Sequence, residues 1–197
     1  MKDGSENNTP AAENYSPEAG ARVIQQLGKS GKKALLPVRQ IEIVEGHDGG
    51  SCFWIRPVRL ARPGESSFFG VHECESEEIS IEEDYVVNYL YFFLEKHYDE
   101  ALSEPFRGED CGPGFAWNLE HNVYSYKAVE KMLAEIRAAA ALLSVRPDAP
   151  ELFELKSRFG ACNDFPVVID FYERFCRRME TMLRVTPDYE LISFMGP

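Results

Sequence analysis

Between Ile81 and Tyr98 the chain reads IEEDYVVNYLYFFLEKHY, a run dense in aromatic and branched apolar residues. Set out at 100° per residue, Ile81, Tyr85, Val86, Val87, Tyr89, Leu90, Tyr91, Phe92, Phe93 and Leu94 fall almost all the way round a helix. A helix that is apolar on nearly every side has to be enclosed. A bilayer does not enclose it, because no stretch approaches the roughly 18 consecutive apolar residues that a membrane span needs. The run therefore predicts a central helix from Ile81 to about Tyr98, with the rest of the chain built around it. Its narrow polar stripe is Asp84, Asn88 and Glu95. Ser80 followed by Glu83 fits a capping box at its start.

The elements available to surround that helix follow from their own periodicity. Upstream, Val38 to Val44, Cys52 to Leu60 and Phe68 to Cys74 are strand-like runs. They are separated by the turn signals His47-Asp48-Gly49-Gly50 and Arg62-Pro63-Gly64-Glu65. Short turns between strands favour an antiparallel meander. Downstream, Val129, Met132, Leu133, Ile136, Ala140 and Leu143 share one face of a helix over Tyr126–Leu143, capped by Ser125 and ended by Arg146-Pro147. A short helix over Pro150–Phe159 stops at Gly160. The last helix, Val167–Arg184, buries Val168, Phe171, Tyr172, Phe175, Met179, Met182 and Leu183. On its outer face Asp170 precedes Arg174, Glu173 precedes Arg177 and Glu180 precedes Arg184, each by four residues, the stabilising order for ion pairs. The closing segment, Tyr189 to Met195, is apolar enough to dock on the core. The alternative for it is an exposed segment that meets a partner.

The fold class is therefore α+β: a small antiparallel sheet of about three strands, in the N-terminal half, packed against three to four helices. Residues 1–15 are polar and read as a disordered tail, and residues 16–197 as a single domain. A body of that size buries about 70% of its extended-chain surface and needs no metal or disulfide to hold it. The five cysteines, Cys52, Cys74, Cys111, Cys162 and Cys176, are odd in number and include no CxxC pair. The first residues, MKDGSENNTP, lack the apolar core of a secretion signal. Together these features suggest reduced thiols in the cytoplasm.

Charge narrows the function. The chain has 21 basic and 33 acidic residues, a net charge of −12. That opposes binding to a nucleic-acid backbone, which is gripped mainly by Lys and Arg. The acids concentrate in Glu73, Glu75, Glu77, Glu78, Glu82, Glu83 and Asp84, with no base among them. This is either a solvated ridge or a face that steers toward a basic protein. The string GKSGKK at Gly28–Lys33 lacks the upstream glycine and the preceding strand of a phosphate loop.

The stretch from Ser103 to Ser125 is long for a connection inside a domain, and such loops are often functional. Phe106, Phe115, Trp117 and Tyr124 would anchor it, while Glu109, Asp110, Cys111, Glu120, His121 and Asn122 supply polar tips. It is a pocket wall or an aromatic lid over the helices. Cys111 with His121 has the residue types of a thiol nucleophile but no flanking signature. His72 and Cys74 share one face of a strand, yet two ligands do not make a zinc site. Asp84 and Glu95 are about 16 Å apart along the helix, too far for a glycosidase pair. No dinucleotide fingerprint and no GxSxG elbow occurs, so no cofactor is implied.

These readings favour a non-catalytic protein-interaction domain that meets a basic partner, away from nucleic acid and membrane. Its contact residues would be Glu77, Glu78, Glu82 and Glu83, with Trp117 and Asn122 from the loop. The alternative is a small hydrolase-like enzyme in which Glu120 or His121 acts as general acid or base beside Trp117. A structural subunit with an apolar patch around Leu191–Met195 is the third possibility.

Overall fold

The computed structural model describes residues 40–46, 50–65, 71–106, 121–159 and 164–197, all of them within the unit Val38–Pro197. The expected tail, the GKSGKK string, the turn at residues 47–49 and the loop at residues 107–120 lie outside the described residues. Six strands are present among those described: β1 (Val44–Glu45), β2 (Cys52–Leu60), β3 (Val71–Glu73), β4 (Ile79–Glu82), β5 (His121–Ser125) and β6 (Leu191–Met195). Helix α1 passes through Glu83–Tyr85, a π-helical stretch at Val86–Leu90, and Tyr91–His97. It is followed by α2 (Glu100–Ser103), α3 (Tyr126–Val145), α4 (Phe153–Arg158) and α5 (Phe165–Val185).

The α+β class holds, but the sheet is larger than expected. All six strands are antiparallel and form one sheet, in the order β1-β4-β2-β6-β5, with β3 beside β2 in line with β4. The expectation of about three strands in the N-terminal half is corrected by β4, β5 and β6. In β4, Ile79 and Ile81 alternate with Ser80 and Glu82, so this segment follows a period of two and pairs with β2. Ile81 therefore belongs to the sheet, and the helix starts at Glu83. The Ser80–Glu83 capping box does not form, because Ser80 is a buried strand residue whose hydroxyl donates to the Gly46 carbonyl. In β6 and β5 the partners lie far apart in the chain: His121–Ser125 pairs with Leu191–Met195, which in turn pairs with Trp54–Val58.

One face of the sheet, through Phe53, Ile55, Ile79, Ile81, Tyr124, Ile192 and Phe194, joins the helices in the main core. Val58, Val71 and Val123 lie on the opposite face, under Leu102 and Phe106 from the α2 segment. Helix α1 is the central element expected. Val86, Tyr89, Leu90, Phe93 and Leu94 are fully buried, and only Asp84, Glu95 and Lys96 stand exposed along Asp84–His97. Aromatic rings enclose it. Tyr89 meets Phe159 edge-on at 5.2 Å, and Phe93 meets Tyr172 at 5.9 Å.

Two buried tyrosines also hold α1 by its backbone. A π-helical turn misaligns the regular ladder, and the Tyr172 hydroxyl donates to the Tyr89 carbonyl there at 2.7 Å. The Tyr124 hydroxyl donates to the Leu94 carbonyl at 3.0 Å, in the last turn, where carbonyls lack helical partners. Replacing Tyr172 by Phe strands a buried carbonyl while leaving the ring in place. The expected cost is about 1–3 kcal/mol, read as a fall in the urea midpoint with an unchanged slope. An unchanged midpoint would remove this bond from the list of what holds α1.

Helices α3 and α5 match their sequence pattern, since local periodicity alone sets them. Ser125 caps α3 by accepting from Ala128 N at 3.2 Å, and its six predicted core residues are all buried. The ion pairs on α5 follow a different plan. Asp170–Arg174 forms at 2.8 Å as predicted. Glu180 turns to Arg137 of α3 instead of Arg184, and Glu173 and Arg177 make no ion pair among the described residues. Packing of α5 against α3 puts a fixed cation across the seam, and this competes with the flexible local one.

Candidate functional site

The acidic segment is organised by a break in the sheet. Strand β2 has Pro57 in its middle, and a proline cannot donate to a ladder. Opposite Arg56 and Pro57 the neighbouring strand leaves the ladder for a 3-10 turn, Glu75–Glu77, between β3 and β4. The Pro57 carbonyl accepts from Cys74 N at 3.0 Å, so the missing N–H faces this gap.

The residues bordering the gap are Glu73 and Glu78, and both turn onto Arg56. Arg56 Nε lies 2.8 Å from the Glu78 carboxylate, and Arg56 Nη1 donates to Glu73. Arg56 is 8% exposed and Glu78 5%. Two carboxylates thus share one guanidinium, in a place where a charge is tolerated only because it is paired.

The turn itself is tied to the last helix. Arg178 of α5 reaches Glu77 at 3.2 Å and Glu45 of β1 at 2.7 Å. Hydrogen bonding to Glu45 holds its guanidinium pKa above the usual value. One turn earlier, Arg174 donates to the Ile41 carbonyl at 2.7 Å. The two arginines fasten the β1 edge of the sheet to α5.

The remaining acids point outward. Glu83 accepts from the Ser51 hydroxyl at 2.6 Å. Glu75, Glu82 and Asp84 are exposed, and none of their carboxylates takes part in an ion pair or hydrogen bond among the described residues. Of the four acids singled out from sequence, Glu82 is therefore fully presented, Glu83 and Glu77 are half-buried and partnered, and Glu78 is turned inward. Sequence reasoning missed Arg56 and Arg178, and listed Glu73 only as one of the clustered acids. The available signal was the arginine between Ile55 and Val58 in a strand that is mainly apolar, which needs a buried counter-charge.

Trp117, Glu120 and Cys111 lie outside the described residues. His121 opens β5 opposite Met195, and its side chain also lies outside them. Asn122 is fully buried, and its Nδ2 donates to the Phe194 carbonyl at 3.0 Å. Ser103, also buried, covers the outer side of β5: its hydroxyl accepts from Val123 N at 3.0 Å.

No group of three or more His, Cys, Asp or Glu is placed to hold a metal ion among the described residues. His72 stands edge-on to Tyr189 with ring centres 6.3 Å apart, and Cys74 Sγ lies 3.5 Å from the Ser76 hydroxyl. Nearby, Arg59 makes two contacts to Glu65, at 2.7 and 2.9 Å, and this hydrogen bonding holds the Glu65 carboxyl down at about 2. Asp84 and Glu95 stay apart on α1, with Glu95 paired to Arg158 at 3.0 Å. Cys176 is buried beside Leu133, and burial pushes its thiol up to about 12, which makes it unreactive. Two open grooves follow the α3–α5 seam, of about 330 and 490 Å³, and neither is lined by a histidine or a cysteine. Among the described residues no helix is long and apolar enough to cross a membrane.

No protein-family model, curated protein or solved structure matches this chain.

Proposed function

We propose that this chain is a non-catalytic protein-interaction domain that meets a basic protein through the outward acids of the segment 73–84. The observation that supports it is an imbalance. Arg56 and Arg178, the cations paired with acids of this segment among the described residues, are engaged by Glu73, Glu78, Glu77 and Glu45. Glu75, Glu82 and Asp84 are left exposed with no cation against them among the described residues. Three uncompensated carboxylates along one turn–strand–helix passage repel one another, and a basic partner relieves that repulsion. Glu77 and Glu83 form the rim, and Glu78 acts from beneath by holding Arg56.

Such a surface contributes association rate and selectivity more than affinity. The contact weakens as salt shortens the Debye length, which is already about 10 Å at 0.1 M. The net charge of −12 sets the same surface against nucleic acid. A cytoplasmic setting fits the thiols of Cys74 and Cys176.

The test neutralises only the exposed acids, in a Glu75→Gln, Glu82→Gln, Asp84→Asn variant. Stability should shift by no more than about 0.5 kcal/mol, as for other surface changes. Basic proteins that the wild type captures from native extract at low salt should be lost at high salt. The variant should capture them at least about tenfold more slowly. If every captured protein binds wild type and variant alike, this surface is not where the domain acts.

A further inference from the structure

Helix α3 is apolar on two sides. Its core face is accounted for. The opposite direction, followed at 100° per residue, runs through Lys127, Lys131, Ala134, Ala138, Ala141 and Val145, and all six are exposed. From Ala138 to Val145 the helix reads AAAALLSV, without a charge, in a chain that is 27% charged. Val145 is 80% exposed, and Phe153, which opens the next helix, is 78% exposed; no other large apolar side chain among the described residues is as exposed. The solvent side of a helix in so charged a chain ordinarily carries charges, and an apolar side asks for a cover.

We propose that this face of α3 is covered by the same face of a second copy of the chain, in an antiparallel two-fold pairing. The exposed residues recur at intervals of four and three, the spacing of a seam between two helices. Alanines on the seam let the helix axes approach to about 8 Å. Charge sets the direction. Lys127 and Lys131 occupy the N-terminal end, and just past the C-terminal end Asp148, whose carboxylate lies 3.6 Å from Lys156 Nζ, keeps a side chain that is 97% exposed. A parallel pairing sets each lysine against its own copy. An antiparallel pairing with its axis between Ala138 and Ala141 sets Lys131 opposite Asp148 of the second copy, and Ala134 opposite Val145 of the second copy. Two-fold symmetry makes each of these contacts twice.

The helical strip from Lys131 to Val145 is about 21 Å long and, with Asp148 beyond it, covers on the order of 400 Å² per copy. That is at the low end for a specific interface, so the dimer is weak and reversible.

Sedimentation velocity on the full chain, from low micromolar to several hundred micromolar, tests this. The weight-average mass should rise from the monomer value toward twice that value. Ala138→Glu, an exposed substitution by a good helix former, should leave the thermal melt unchanged and weaken dimerisation at least about 100-fold, because it sets two carboxylates near the axis. Lys131→Glu should weaken it about tenfold, and Lys131→Glu with Asp148→Lys should restore it. A single monomer mass at every concentration overturns the proposal. So does self-association indifferent to Ala138→Glu, or a charge swap that fails to restore what Lys131→Glu removed.

Discussion

A chain that ends at Glu190 will not fold. The seven residues removed, Leu191–Pro197, include β6, which lies inside the sheet and not at its margin. Each residue from Leu191 to Met195 is opposite one residue of β2 and one of β5, so β6 is the strand that stands between those two among the described residues. Ile192, Ser193 and Phe194 have no exposed surface, and Phe194 packs edge-on against Tyr124 at 5.3 Å. Burial of Ile192 and Phe194 is worth about 1.5–3 kcal/mol each. The ladder bonds add about 1 kcal/mol apiece. Together these match or exceed the roughly 5–15 kcal/mol by which a whole domain is stable. The truncated chain should show no cooperative urea transition and no near-ultraviolet dichroism. A cooperative transition within about 2 kcal/mol of the full chain would mean that β6 is an accessory to the sheet.

Replacing Arg56 by Met is the second large effect. The side chain is similar in length, so the hole left behind is small. What changes is charge: Glu78, 5% exposed, and Glu73 lose the guanidinium they share. Breaking a buried pair by removing one partner costs about 3–5 kcal/mol. In a domain of this size that corresponds to a fall in melting temperature of roughly 6–20 °C. Adding Glu73→Gln and Glu78→Gln to the Arg56→Met variant should recover most of the loss, since the two negative charges that faced the guanidinium are then gone. If Arg56→Met melts with the wild type, the triad has no part in holding the broken strand to β2. If the triple variant melts no higher than Arg56→Met alone, the loss came from packing and not from charge.

The two large effects fall where the sequence was hardest to read. Helices α3 and α5 were legible because an α-helix is closed by bonds four residues apart, so Val129 to Leu143 and Val168 to Met182 declare their faces in a single window. Strand β2 was legible for a similar reason, being long and dense in Phe53, Trp54, Ile55 and Val58. Strand β4 was absorbed into the helix that follows it, because Ile81 fits an apolar helix face as well as it fits a pleat. Strands β5 and β6 have five residues each, and a segment that short carries too little periodicity to separate strand from loop. The final segment was read correctly as apolar and in need of a place, but not as the strand that joins the two halves of the sheet.

The acidic run shows the same division. That seven acids cluster between Glu73 and Asp84 is plain in the sequence. Which of them face water is decided by Arg56, 17 residues before Glu73, and by Arg178, 101 residues after Glu77. Local windows of the sequence are enough to read the elements whose bonds are local, the lack of a run apolar enough for a membrane helix, and the sign of the charge. The order of the strands, the inward turn of Glu78 and the exposure of Glu75, Glu82 and Asp84 emerge only when the chain is folded. The physical reason is that strand pairing and charge burial are contacts between residues distant in the chain, and no local window contains both partners.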